Sequence, residues 1–205
     1  LGLQVSRLIR TRYGPFVLGD MPVGGVGEVR QVDRIQFRAS LKGTKAKATE
    51  VARAAGRRVA FSLSDAFCIS RHRDDFRALI DGGLVDILFA NEAEILSLNE
   101  TEDLDAAVAT TAERVRLLVV TRGADGALAV ENGHRTTVRA EPVEHVVDTT
   151  GAGDLFAAGF LAGQAQDRCV HDSLVMGAIA AAEVIGHFGA RPQVDLKALV
   201  AKRLG

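Results

Sequence analysis

The stretch "VVDTTGAGDLFAAGF" (Val146–Phe160) sets two carboxylates, Asp148 and Asp154, on either side of three small residues, Gly151, Ala152 and Gly153. Beyond them Ala157, Phe160 and Leu161 recur at helical spacing. The pattern predicts a brief strand, "HVVD" (145–148), then a tight turn, then a helix starting at Gly151. The start of a helix exposes unpaired N–H groups and a partial positive charge. With almost no side chains around them, those donors admit an anionic oxygen at close range. Asp154 lies one turn into the helix, where the same dipole favours its anion. It is placed to take a proton from a hydroxyl beside a bound phosphate. Backbone donors for a moving phosphoryl group, with an acid for the attacking alcohol, make a phosphoryl-transfer site.

Gly151-x-Gly153 after a strand also resembles a dinucleotide fingerprint. The third glycine position, however, holds Phe156, and an Ala-rich helix stands where a strand and its acidic residue belong. The Walker pattern is absent.

Working outward, elements of two kinds alternate. Lys45 to Ala55 reads as a basic helix stopped by Gly56, and Arg58 to Leu63 as a strand. "DDFRALIDGG" ends a helix at Gly82 and Gly83. Val85 to Ala90 is a buried-type strand, and "NEAEILSL" starts a helix capped by Asn91. Leu104, Val108, Ala112 and Val115 share a helix face, and Leu117 to Thr121 is a third apolar strand. "GALAVENGHRTTVRA" predicts a hairpin at Asn132-Gly133. Downstream, Leu174, Val175, Ala178, Ile179, Ala182 and Ile185 line a second long helix, "GARP" (Gly189–Pro192) is a turn, and a short helix closes the chain. Before residue 40 no helical or strand period is sustained. Residues 1–40 are read as an irregular or altered segment and 41–205 as the folded part. Strands alternating with helices predict an α/β fold with a mostly parallel sheet covered on both faces. Such sheets bind ligands beyond the carboxyl ends of their strands. "NEAE" (Asn91–Glu94) and "TRGADG" (Thr121–Gly126) fall at such ends, as does the glycine turn. Asn91 and Glu94 are suited to hold the waters of Mg2+. Read singly they are a helix cap and a solvated helix residue, and Gly123 and Gly126 belong to an ordinary turn.

"DTTGAGD" with "NEAE" and "TRGADG" upstream resembles the C-terminal half of a ribokinase-like, PfkB-type kinase. "FSLSDAFCISRHRDDF", "VDILFANEAE" and "FGARP" are similar to its adenosine kinase-like branch. The resemblance covers about residues 42 to 203. It implies a three-layer ribokinase-like sandwich and ATP-dependent phosphorylation of a sugar or nucleoside hydroxyl. Asp154 matches the family's catalytic base and Gly151, Ala152 and Gly153 its anion hole. Asn91 and Glu94 match the pair that organises Mg2+ and phosphate through water, while Thr121, Gly123 and Gly126 lie in the nucleotide-binding turn. Asp148 and the carbonyl of Thr150 lie where relatives bind a monovalent cation, K+. The helix around 180–189 would flank adenine. The family's first half, with its lid strands and Gly-Gly sugar motif, has no recognisable counterpart here, so the chain reads as truncated at its N-terminus. The paired glycines of "VGGVGE" (Val23–Glu28) sit in unlike surroundings. A nucleotide-binding fragment impaired in catalysis is therefore the alternative to an active kinase.

The composition is compatible with this reading. Across 205 residues, 47% are hydrophobic and the formal net charge is -1, which favours a globular fold and neither nucleic acid nor an anionic membrane. No Trp and one Tyr leave little for base stacking. Cys68 and Cys169 read as reduced, buried thiols of a cytoplasmic protein. His72, His134, His145, His171 and His187 read as surface or helix-flank residues. "SRHRDDFR" (Ser70–Arg77) is expected to be a solvated helix face, with contact to nucleotide phosphate as the sharper alternative. A small-molecule sugar or nucleoside is the expected partner, and a homodimer is left open.

Overall fold

The computed structural model describes residues 8–11, 14–18, 49 and 52–205. The chain divides into two compact units, Leu1–Leu118 and Val119–Gly205.

In the first unit, β1 (Leu8–Thr11) runs antiparallel to β2 (Gly14–Leu18), with Thr11 opposite Gly14. Strand β2 is parallel to β3 (Val59–Ser62), and β3 to β4 (Ile87–Asn91). Strands β1 and β2 lie inside the segment read as irregular. "GPFVL" is too short to show a period and opens with Gly and Pro, which read as loop residues. Of the helix expected over 45–55, Thr49 and residues 52–54 are helical, and Gly56 closes it with φ 65°. "VGGVGE" lies outside the described residues.

Asp86 ties the strand starts together. Its Oδ2 accepts from the Val59 N–H at 2.7 Å, its own N–H donates to the Val59 carbonyl, and its carbonyl accepts from Leu117 at the start of β5 (Leu117–Thr121). Above these strands lies α1 (Ala66–Asp81), begun by the Asp65 side chain accepting from Phe67 N–H. Its buried residues are Ile69, Phe76, Leu79 and Ile80, and Phe76 tilts against Phe61 of β3 at 6.0 Å. Two further helices follow, α2 (Glu92–Asn99) and α3 (Leu104–Ala112), joined where Asn99 Nδ2 donates to the buried Thr111 hydroxyl at 2.8 Å. Val115 falls beyond α3, because the helix is already closed at Glu113.

The charges of "SRHRDDFR" serve helix packing. Arg73 and Arg77, one turn apart, donate to the Ser97 and Leu98 carbonyls and to Glu100, which caps α2 in a left-handed conformation. Cations at a helix C-terminus satisfy its orphan carbonyls. Arg71 stacks on the exposed Phe67 ring at 3.8 Å. His72 is not a surface residue: its side chain is 10% exposed, at a point where α1 leaves helical geometry. Cys68 is part-exposed, and Cys169 is exposed at a helix N-cap, its Sγ accepting from Asp172 N–H at 3.5 Å. Neither thiol is buried as expected.

In the second unit, β6 (Ala127–Glu131) and β7 (His134–Val138) form the predicted hairpin, with Asn132 and Gly133 both at positive φ. Helices α4 (Ala152–Gln164) and α5 (Val170–Ile185) pack at short range. A Cβ on Gly159 would meet the Met176 carbonyl at 2.5 Å, and one on Gly177 the Phe156 carbonyl at 2.8 Å. Phe156 is thus a core residue where a dinucleotide fold needs glycine. Residues 145–148 are not a strand. The Val147 N–H donates instead to Ile185 at the end of α5, a partner invisible to a local pattern. The chain closes with α6 (Leu196–Leu204). Among the described residues no helix is long and apolar enough to cross a membrane.

Phe76→Ala should cost about 3–5 kcal/mol, seen as a lower urea midpoint at unchanged slope. A loss below about 1 kcal/mol would show that this ring is not a core residue.

Candidate active site

In the first unit, β4 ends and α2 begins on the same residue, Asn91. Asn91 Oδ1 accepts from Glu94 N–H at 2.8 Å. In return the Glu94 carboxylate accepts from the Asn91 N–H and from Nδ2, each at 2.9 Å. This is a reciprocal capping box. Glu94 is 5% exposed, not a solvated helix residue. Burial pushes its pKa above the ordinary carboxylate value, opposed by the Asn91 N–H and reinforced by Asp65. Both Glu94 oxygens already hold a donor from Asn91, leaving lone pairs suited to water.

In the second unit, "TRGADG" folds into a single 3-10 turn, Gly123–Asp125, closed by Arg122 N–H on the Gly126 carbonyl at 2.8 Å. The two glycines differ in purpose. A Cβ on Gly126 would lie 2.1 Å from the Val138 carbonyl, so β7 requires that glycine. Gly123, at φ 56°, has open space around it, and Thr121 is part-exposed beside it.

The glycine turn is built from both sides. Asp148 Oδ1 accepts from Thr150 N–H at 2.9 Å and Oδ2 from Gly189 N–H at 3.1 Å. The Thr150 side chain and these N–H groups, with a smaller contribution from His187, hold the Asp148 pKa below its ordinary value. Gly151 is the N-cap of α4 at φ 82°, with Ala190 packed against it: an added Cβ would lie 2.5 Å from the Ala190 Cβ. A side chain here is excluded by conformation and by contact.

Of the three N–H groups expected to face an anion, those of Gly151, Ala152 and Gly153, one is engaged within the turn. The Ala152 N–H turns back onto the Thr149 carbonyl at 3.2 Å. The Gly151, Gly153 and Asp154 N–H groups have no acceptor among the described residues, and Gly153 is exposed with nothing near its missing Cβ. Asp154 is exposed on one side, and its carboxylate makes no hydrogen bond or ion pair among the described residues. The dipole argument lowers its pKa, yet the structure reverses that sign. Protein atoms packed along its other side desolvate the carboxylate and raise its pKa above the ordinary aspartate value. A raised pKa makes it a stronger proton acceptor once ionised.

Sequence reasoning missed Glu183 and Ala190. Glu183 Oε1 accepts from the Gln193 N–H at 2.8 Å and lies 3.2 Å from His187 Nε2, bracing the "GARP" turn that carries Ala190. The available signal was an acid in the last turn of a helix, where the dipole disfavours it.

Comparison with known proteins identifies the family. The profile of the pfkB family carbohydrate kinases matches residues 28–196, and the chain belongs to that family. Over 122 residues it is 37% identical to a cytidine kinase of Thermococcus kodakarensis, covering 58% of this chain and 43% of that protein. The structure of an adenosine kinase from Sinorhizobium meliloti superposes with a TM-score of 0.75 at 44% identity, covering 77% of this chain and 48% of that one. An E. coli protein described as a ribokinase II, in complex with ATP and Mg2+, superposes with a TM-score of 0.69 at 25% identity, covering 80% and 56%. The fold is ribokinase-like α/β with a mixed, mostly parallel sheet. The chain spans about half the length of these relatives.

The raised pKa of Asp154 has a stability consequence. A carboxyl titrating higher in the folded chain favours folding while protonated, below the ordinary value of 3.8, and that contribution is lost as pH rises through the folded pKa. Asp154→Asn is therefore expected to melt above the parent protein at neutral pH, with the gap closing as pH falls below that ordinary value. An equal gap at all pH values would contradict the upward shift.

Proposed function

We propose that the chain carries the phosphoryl-transfer half of an ATP-dependent kinase acting on a hydroxyl of a sugar or nucleoside. The observation that carries this reading is that, among the described residues, the amides of Gly151, Gly153 and Asp154 have no acceptor and the Asp154 carboxylate on the same turn has no partner. Donors fixed before the reaction stabilise charge as it develops on the phosphoryl oxygens. Asp154 accepts the proton of the attacking hydroxyl, and Gly151 and Ala152 shape the turn from which the open donors project. Thr121 and Gly123 offer an open edge to nucleotide, while Gly126 supports it from beneath.

The partly engaged carboxylate of Glu94 and the carbonyl-bearing amide of Asn91 suit a hydrated Mg2+, bound through water rather than directly. When bound, Mg2+ neutralises charge on the phosphate chain. Asp148, held as an anion, and the Thr150 carbonyl are the groups proposed for K+. The names of the relatives support a nucleoside or sugar acceptor and an ATP–Mg2+ donor. The span of about half a relative supports the second reading, a nucleotide-binding unit impaired in catalysis.

Calorimetry with ATP and Mg2+, combined with phosphorylation assays on adenosine, cytidine, ribose and fructose, separates these readings. Product formation supports the kinase, binding without product supports the impaired unit, and no nucleotide binding overturns both. If turnover is present, Asp154→Asn should lower it about 10²–10⁴-fold while nucleotide affinity stays within about twofold. Unchanged turnover would remove Asp154 from the role of base.

A further inference from the structure

Glu183 stands in the last turn of α5, where a carboxylate opposes the helix dipole. Its side chain is 8% exposed, and Oε2 is buried with no hydrogen-bond partner among the described residues. Both features disfavour the residue, since a buried acceptor without a donor costs stability. What Glu183 does hold is the far side of a turn. Oε1 accepts from the Gln193 N–H at 2.8 Å and lies 3.2 Å from Nε2 of His187, whose Nδ1 lies 3.3 Å from the Phe188 carbonyl. On the near side of that turn Asp148 accepts from Gly189 N–H at 3.1 Å. Residues 189–192 are therefore anchored by one carboxylate at each end. Between the anchors sits Ala190, packed so closely on Gly151 that no Cβ fits there. Gly151 is the left-handed N-cap whose carbonyl receives the first bond of α4, from Leu155 N–H at 2.9 Å.

We propose that Glu183 is a positioning residue for the anion hole, acting through the "GARP" turn and Ala190 to hold Gly151 in the conformation that aims the Gly153 and Asp154 amides outward. A glycine has several accessible backbone wells and no side chain of its own to choose among them. The choice at Gly151 is made by contact from Ala190, and Ala190 is held there by Asp148 and Glu183. The proposal rests on the anion-hole reading above, and its test separates the two.

The test uses three variants of the full chain: Glu183→Ala, Glu183→Gln and Ala190→Gly. The first removes an anchor. The second keeps an oxygen that can accept from Gln193, and the third leaves both anchors intact but removes the methyl group that touches Gly151. Amide hydrogen exchange and ¹⁵N–¹H shifts of Gly151 to Asp154 are read in each, alongside kcat and KM for ATP and the acceptor found above. Glu183→Ala and Ala190→Gly should speed exchange at these amides and lower kcat about 10- to 100-fold, as small misplacements of a catalytic group do. The acceptor KM should stay within about threefold, and Glu183→Gln should recover most of both readouts. If Glu183→Ala does not fold, Ala190→Gly decides alone. Unaltered amides at 151–154 in Ala190→Gly, or equal defects in Glu183→Gln and Glu183→Ala, overturn the positioning role. If the parent protein transfers no phosphoryl group, the kinase reading falls, and the amide readout still decides whether Glu183 and Ala190 set the turn.

Discussion

Gly151 adopts a φ of 82° and admits Ala190 because it has no Cβ, and the candidate chemistry of the second unit hangs on that single backbone conformation. A helix beginning this way leaves the Gly151, Gly153 and Asp154 amides without acceptors among the described residues and places a carboxylate on the same turn. Each is unfavourable by itself: unpaired donors and a desolvated acid both cost stability. They persist together because the surrounding structure holds them, through the closely packed helices α4 and α5 behind the turn and the clamped segment 189–192 beside it. Groups kept unsatisfied by a rigid frame are ready to meet a ligand's charge without first rearranging.

The three acids of this region divide the work by environment. Asp148 has a donor on each oxygen and its pKa is lowered. Glu183 is buried and used on one oxygen only. Asp154 has no partner among the described residues and its pKa is raised. The first two shape backbone, and the third is the one proposed for proton transfer. In the first unit, Glu94 combines both kinds of behaviour, since a capping box engages it while burial raises its pKa. A residue can thus be structural and still present lone pairs to a hydrated ion. The arginines of α1 make the opposite point: a dense run of charge read as a solvated face, with phosphate contact as the alternative, yet Arg73 and Arg77 are directed to the end of a neighbouring helix.

Elements whose signal lies within a few consecutive residues were legible in the sequence. The Asn91 cap, the Asn132-Gly133 hairpin, the buried strands and the helix beginning at the glycine turn all depend on local conformational preference or on short-range periodicity. The glycine turn together with its two upstream partners also carried the family resemblance. What the sequence did not reveal depends on contacts between distant segments. Residues 145–148 bond to the end of α5 rather than to a strand, Gly126 is required by the close approach of β7, and β1 and β2 are too short to show a period.

The sequence by itself determined which residue types could serve a phosphate: small residues for close approach, an acid one turn later, and a capping pair at a strand end. Only the tertiary structure decided how each behaves. It turned the Ala152 amide inward, reversed the sign of the pKa shift at Asp154, brought Ala190 against Gly151 and bonded Glu183 to the Gln193 amide. The reason is that desolvation and steric contact depend on which atoms surround a group in space. Those atoms come from segments dozens of residues away, whose proximity no local pattern encodes.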